Sequence, residues 1–264
     1  MTAARPRVLQ LFAPGINCDR ELRYAFERAG AEVVELHVSE LAAAPERILD
    51  FDLFAVPGGF SYGDDLGAGR VLALQLERRL GSALRELHAR GGVLFGVCNG
   101  FQALLKAGFL PGVDGLPPLS LTWNASHRFE CRWSRLRAEA PLGEPWPEGT
   151  VVAAVSAHAE GRIVLPDDER DAATLMEAGV VAFRYCDEEG RPRTDFPHCP
   201  SGSAGGIAGL VAPCGRILGL MPHPERNLSR LHLPDRGDGA WGGEGVAASF
   251  CAGLLSRIRT PASR

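Results

Sequence analysis

The chain has 264 residues, enough to bury a core without disulfides or structural metals, and its 45% hydrophobic and 23% charged residues exclude fibrous and disordered classes. With 28 basic and 32 acidic residues the formal charge is -4, so the polycationic surface that a nucleic-acid backbone requires is absent and nucleic acid is not an expected partner. No apolar run approaches the roughly 18 residues of a membrane span, and the early run 8–13 leads into Pro14-Gly15 rather than a signal cleavage site, so a cytoplasmic protein with no membrane partner is expected.

In chain order, short apolar runs read as strands at residues 8–12, 33–38, 53–56, 93–97, 151–155, 180–185 and 217–221. Helical spacing lies between the early ones. Residues 19–29 carry Leu22, Ala25, Phe26 and Ala29 on one face with Gly30 as a stop, and residues 69–89 and 100–107 follow the same period. Buried strands alternating with helices predict an α/β fold: a central, mostly parallel sheet with helices on both faces. Gly/Pro-rich breaks at 111–118 and 141–149 flank residues 121–136, whose alternation predicts a small antiparallel addition in the middle. Long loops are expected at 186–206 and 230–245, and a final amphipathic helix at 246–258. With no repeat or linker tract, residues 1–264 read as a single domain.

The sharpest chemical signal is Gly96-Val97-Cys98-Asn99-Gly100, between a strand and a helical stretch. This is a G-x-C-x-G nucleophile elbow: the abrupt turn strains the middle residue, and the glycines remove side chains that would collide. The thiol is presented at a helix N-terminus, whose free N–H groups and dipole favour a thiolate. A nucleophile needs a base, and the base an orienter. Met221-Pro222-His223-Pro224-Glu225-Arg226 follows the strand at 217–221. Pro224 keeps His223 extended, so imidazole and carboxylate can share one side of the backbone, Glu225 fixing the tautomer while the other ring nitrogen faces Cys98.

A third element, Pro57-Gly58-Gly59-Phe60-Ser61-Tyr62-Gly63-Asp64-Asp65, follows the strand at 53–56. In elbow hydrolases the oxyanion is held by the N–H after the nucleophile, here Asn99, and by one from a Gly-rich loop at another strand end, here Gly59 or Phe60. The glycines match neither a dinucleotide fingerprint nor a phosphate-binding GK[ST] loop, so no nucleotide site is read. The seven cysteines contain no CxxC pair, which suits a reducing compartment. His198 with Cys186, Cys199 and Cys214 reads as chance clustering, so no metal and no cofactor is expected. His158 and Glu160 repeat the H-x-E pattern without an intervening proline, and alone suggest only a strand end.

The GVCNG elbow, the PGGFSYGDD loop and MPHPER together resemble class I glutamine amidotransferases, and more narrowly the glutaminase subunits of phosphoribosylformylglycinamidine synthases. The likeness extends to residues 13–21, 124–130, 158–162 and 206–209, so it runs through most of the chain. The resemblance implies a glutaminase with Cys98 as nucleophile, His223 as base, Glu225 as orienter and Gln102 as a contact for glutamine. It also implies a synthetase partner that uses the released ammonia, with ATP, to convert formylglycinamide ribonucleotide to the amidine in purine biosynthesis, and it leaves a small third subunit open. Two departures stand out: Ala159 replaces the family's glycine between His158 and Glu160, and the run 196–203 replaces an Asn-rich one. The alternatives are a glutaminase serving another synthetase, a cysteine hydrolase of related fold, and a non-catalytic assembly subunit.

Overall fold

The computed structural model describes residues 5–139, 146–233 and 244–259. Its frame is a nine-stranded sheet formed by β1 (Arg7–Phe12), β2 (Glu32–His37), β3 (Leu53–Val56), β4 (Val93–Val97), β6 (Glu130–Ala138), β7 (Val151–His158), β9 (Val181–Cys186), β10 (Ile207–Val211) and β11 (Ile217–Leu220). Their spatial order is β2-β1-β3-β4-β11-β10-β9-β6-β7. The five strands from β2 to β11 are mutually parallel, and the remaining four continue the sheet by antiparallel pairing. β5 (Ser120–Thr122) and β8 (Arg162–Val164) form a separate two-stranded antiparallel sheet. The mostly parallel core and the small antiparallel addition are thus both present, and antiparallel pairing also extends the main sheet.

The helices are α1 (Asp19–Arg28), α2 (Val38–Ala43), α3 (Arg70–Gln75), α4 (Gly81–Ala89), α5 (Asn99–Lys106), α6 (Arg170–Glu177) and α7 (Ala247–Leu255). The helix expected over 69–89 is α3 and α4 joined by a π-helical turn, Leu76–Leu80. Adjacent residues of β4 show why both sheet faces are covered, since strand side chains alternate. Phe95 packs edge-on against Phe26 of α1 and tilted against Phe250 of α7. On the other side a Cβ at Gly96 would stand 2.6 Å from Gly100 O and 2.8 Å from the Leu104 side chain, so α5 lies directly on the sheet. All five β4 residues are buried, which is why its run is continuously apolar.

The segment expected to be strand at 33–38 ends at His37, whose ring caps α2 by accepting from Ser39 N–H. β8, α6 and β10 are additions to the sequence expectation. Parts of the breaks and loops expected at 141–149 and 230–245, at positions 141–145 and 234–243, lie outside the described residues, as do the ends of the single domain read over 1–264. No helix among the described residues is long and apolar enough to cross a membrane.

Candidate active site

Cys98 stands between β4 and α5 with φ 52° and ψ -112°, a left-handed conformation that a non-glycine residue holds only when its surroundings impose it. They do: Cys98 N–H donates to Leu220 O at 2.8 Å, and the helix turns directly under the thiol. A Cβ at Gly100 would meet Val56 O at 2.0 Å, so both elbow glycines are required by close backbone approach. Asn99 opens α5, where the first N–H groups have no partner within the helix and converge beside the thiol.

His223 follows β11 in extended conformation, φ -102° and ψ 89°, and Pro224 opens a 3-10 turn through Arg226. Its backbone is clamped to β7, with His223 N–H donating to Val155 O at 2.7 Å and Val155 N–H to His223 O at 3.3 Å. The turn brings Glu225 round so that Oε1 lies 2.6 Å from His223 Nδ1, and both side chains are 1% exposed. Burial alone would pull the imidazole toward neutrality; the Glu225 carboxylate and Cys98 outweigh it and hold its pKa up at about 10. Imidazole and thiol meet at one glycine: a Cβ at Gly58 would lie 2.6 Å from His223 Cε1 and 3.2 Å from Cys98 Cβ.

The Gly-rich loop after β3 runs beside the elbow. Of its two expected oxyanion donors, Phe60 N–H is already given to Gly15 O at 2.8 Å. Gly59 N–H has no acceptor among the described residues, and its φ of 147° with Gly15 O at 2.6 Å from a Cβ position makes glycine obligatory there. Gly59 is therefore the open donor of the loop. Asn99 locks the loop from below: its Oδ1 accepts from Ser61 N–H at 3.1 Å, and its Nδ2 donates to Asp64 Oδ1 and Gln102 Oε1, both at 3.0 Å.

A small cavity of about 40 Å³ adjoins the thiol; Gly59, Phe60, Asp64, Cys98, Gln102, His158 and Glu160 contribute to its wall. Gln102 lines it with an amide engaged at both ends, since Nε2 also donates to Glu160 O at 2.6 Å. Sequence reasoning gave no role to His158, Asp64 or Cys18. Cys18 is 2% exposed, takes a hydrogen bond from Arg226 at 3.1 Å, and burial pushes its thiol up to about 12. His158 is buried too, and burial with the nearby charge of His223 pushes its imidazole down to about 3. Among the described residues no group of three or more His, Cys, Asp or Glu could hold a metal ion.

An open, mostly parallel sheet carrying an elbow cysteine beside a buried His–Glu pair defines a glutamine amidotransferase architecture. The chain belongs to the CobB/CobQ-like glutamine amidotransferase domain family, whose model matches residues 5–248. Among its relatives, phosphoribosylformylglycinamidine synthase subunit PurQ of Dehalococcoides mccartyi is 40% identical over 246 residues, covering 92% of each chain. The subunit of the same name from Aquifex aeolicus is 34% identical, covering 81% of this chain and 87% of its own. Among solved structures, PurLQS from Thermotoga maritima superimposes with a TM-score of 0.69 at 28% identity, over 97% of this chain and 100% of the matched one.

Proposed function

We propose that this chain is the glutaminase subunit of a phosphoribosylformylglycinamidine synthase, residues 1–264 forming one amidotransferase domain that hydrolyses L-glutamine to glutamate and ammonia. The observation that carries the reading is the buried 2.6 Å His223–Glu225 pair beside the strained elbow cysteine, in a chain 40% identical to a subunit of that synthase. Cys98 as thiolate attacks the carboxamide carbon, and the oxyanion is held by the N–H groups of Asn99 and Gly59. His223 is charged in the resting pair, so it can protonate the departing ammonia. The neutral imidazole that results takes a proton from the water that attacks the thioester, and Glu225 stabilises each imidazolium in turn. Gln102 positions the Glu160 segment along the cavity.

The ammonia goes to a synthetase chain that spends ATP on formylglycinamide ribonucleotide. The Thermotoga assembly named PurLQS supports both that partner and a small third subunit. Seven unpaired cysteines suit a cytoplasmic location. Synthetase binding is the natural cause of any adjustment of the Gly59–Phe60 wall of this cavity when glutamine enters. Ammonia release from glutamine, measured for the chain alone and after adding the synthetase with its nucleotide ligands, tests the reading. A sharp rise on addition is expected; no release in either state overturns it.

A further inference from the structure

Most large apolar side chains of this chain are buried, so a group of aromatic rings left in water needs a cause. The segment between β5 and β6 carries Trp123 and Phe129, 52% and 50% exposed, and the long segment between β9 and β10 carries Phe196, 60% exposed. Two of these rings are held in place. Phe129 packs on Phe60 with ring centroids 6.3 Å apart, and the Arg132 guanidinium lies 4.4 Å over the Phe196 ring while it is paired with Glu130 at 2.9 Å. Glu130 in turn accepts from the Ser126 hydroxyl at 2.8 Å. Rings fixed in this way lose little freedom when a partner covers them.

The two segments form one surface. Ala125 N–H donates to Ser201 O at 2.9 Å, and a Cβ at Gly202 would lie 2.7 Å from the Ala125 Cβ, so the segments are in direct contact. Asn124 N–H donates to Ala159 O at 2.7 Å, and Ala159 and Phe60 both line the cavity beside Cys98. The surface therefore starts at the rim of that cavity and extends outward to Phe196. Next to Phe129, Arg128 is exposed, and its guanidinium has no partner among the described residues. Aromatic anchors beside a free cation fit a partner face that is apolar and carries a carboxylate.

We propose that Phe129, Arg128 and the Arg132–Phe196 stack form the surface by which this chain recognises its synthetase. The assignment rests on the glutaminase reading and adds a docking surface to it. Ammonia that escapes into water is protonated and no longer attacks an electrophile, so its acceptor must be seated over the cavity rim where this surface begins. A second copy of the chain seated there would close the rim without offering an acceptor. The long segment between β9 and β10, which supplies nothing to the chemistry at Cys98, thereby has a use: it carries Phe196 to the outer end of the contact.

The test measures the dissociation constant of the full-length chain for its synthetase, with the nucleotide ligands of the synthetase present, by sedimentation velocity. Phe129→Ala, Phe196→Ala and Arg128→Glu are compared with wild type, and Tyr24→Ala, which removes a ring 50% exposed on α1, is the control. Folding of each is checked by thermal unfolding. The three surface variants should bind at least about tenfold more weakly, with glutamine-dependent amidine formation recovering as synthetase is raised, and Tyr24→Ala should stay within about threefold of wild type. If all three surface variants keep wild-type affinity, or if the control weakens binding as much as they do, the proposal is wrong. It is equally wrong if the chain alone self-associates and these substitutions abolish only that. Ammonia release from glutamine is read in the same wild-type complex: its absence removes the glutaminase reading and this one with it, whereas release with unchanged affinities removes the docking surface alone.

Discussion

Gly58 is the point where the catalytic groups converge, and Gly58→Ala is the most economical way to disturb them. Its φ is outside the left-handed region, so alanine meets no backbone strain there. The added Cβ would lie 2.6 Å from His223 Cε1, against an ordinary contact of at least 3.4 Å. The imidazole must then retreat by roughly 1 Å, a displacement that costs about 100-fold in rate when it affects a reacting group. That corresponds to about 2.7 kcal/mol of lost transition-state stabilisation. The contacts to Cys98 Cβ at 3.2 Å and Cys18 Sγ at 3.4 Å are tolerable, so the fold should survive with an overpacking penalty of about 1–3 kcal/mol. The assay is glutamine-dependent ammonia release in the complex beside a thermal melt of the subunit. A folded Gly58→Ala protein within threefold of wild-type kcat would refute the placement of His223 against the thiol.

A glutamine-mimicking diazo-ketone should label Cys98 and spare the other six cysteines, whereas a general alkylator should first reach Cys131 and Cys214, which are exposed; peptide mass spectrometry distinguishes the patterns, and mimic-directed labelling of Cys18 would remove the assignment. The His223 pKa is raised from 6.5 to about 10, so this group contributes stability fully below pH 6.5 and loses it as pH rises toward 10. Denaturant unfolding between those pH values should show that decline in the wild type and a flatter profile in Glu225→Gln; equal slopes would mean that Glu225 does not hold the imidazolium.

The elbow was legible because its causes are local. Two glycines around a cysteine, after a fully buried strand and before a helical period, have few other physical uses, and Pro224 dictated the extended backbone at His223. Less local features escaped. Phe60 and Gly59 are equal candidates in the sequence, and only the fold brings Gly15 O, from the loop after β1, onto the Phe60 N–H. Nothing around His158 in the sequence shows that its Nδ1 lies 3.1 Å from Asn124 Oδ1, because Asn124 is distant in the chain, before β6. β10 was hidden by its own glycine: a Cβ at Gly209 would meet Gly219 O at 2.7 Å, so strand β11 needs the gap that weakens the strand signal. The antiparallel order β10-β9-β6-β7 rests on long-range pairing that no window of sequence contains. The departure at Ala159 is accommodated at the cavity rim, its carbonyl accepting from Asn124 N–H at 2.7 Å.

The division of the reaction between two chains is tested most directly by amidine formation in the reconstituted complex carrying Cys98→Ala, with glutamine and with ammonium salt as alternative nitrogen sources. Glutamine-dependent synthesis should vanish while ammonium-dependent synthesis stays at the wild-type level, since the variant lacks only the nucleophile that releases ammonia. Loss of both activities together, or retention of the glutamine-dependent one, would contradict an ammonia-donating role for this subunit.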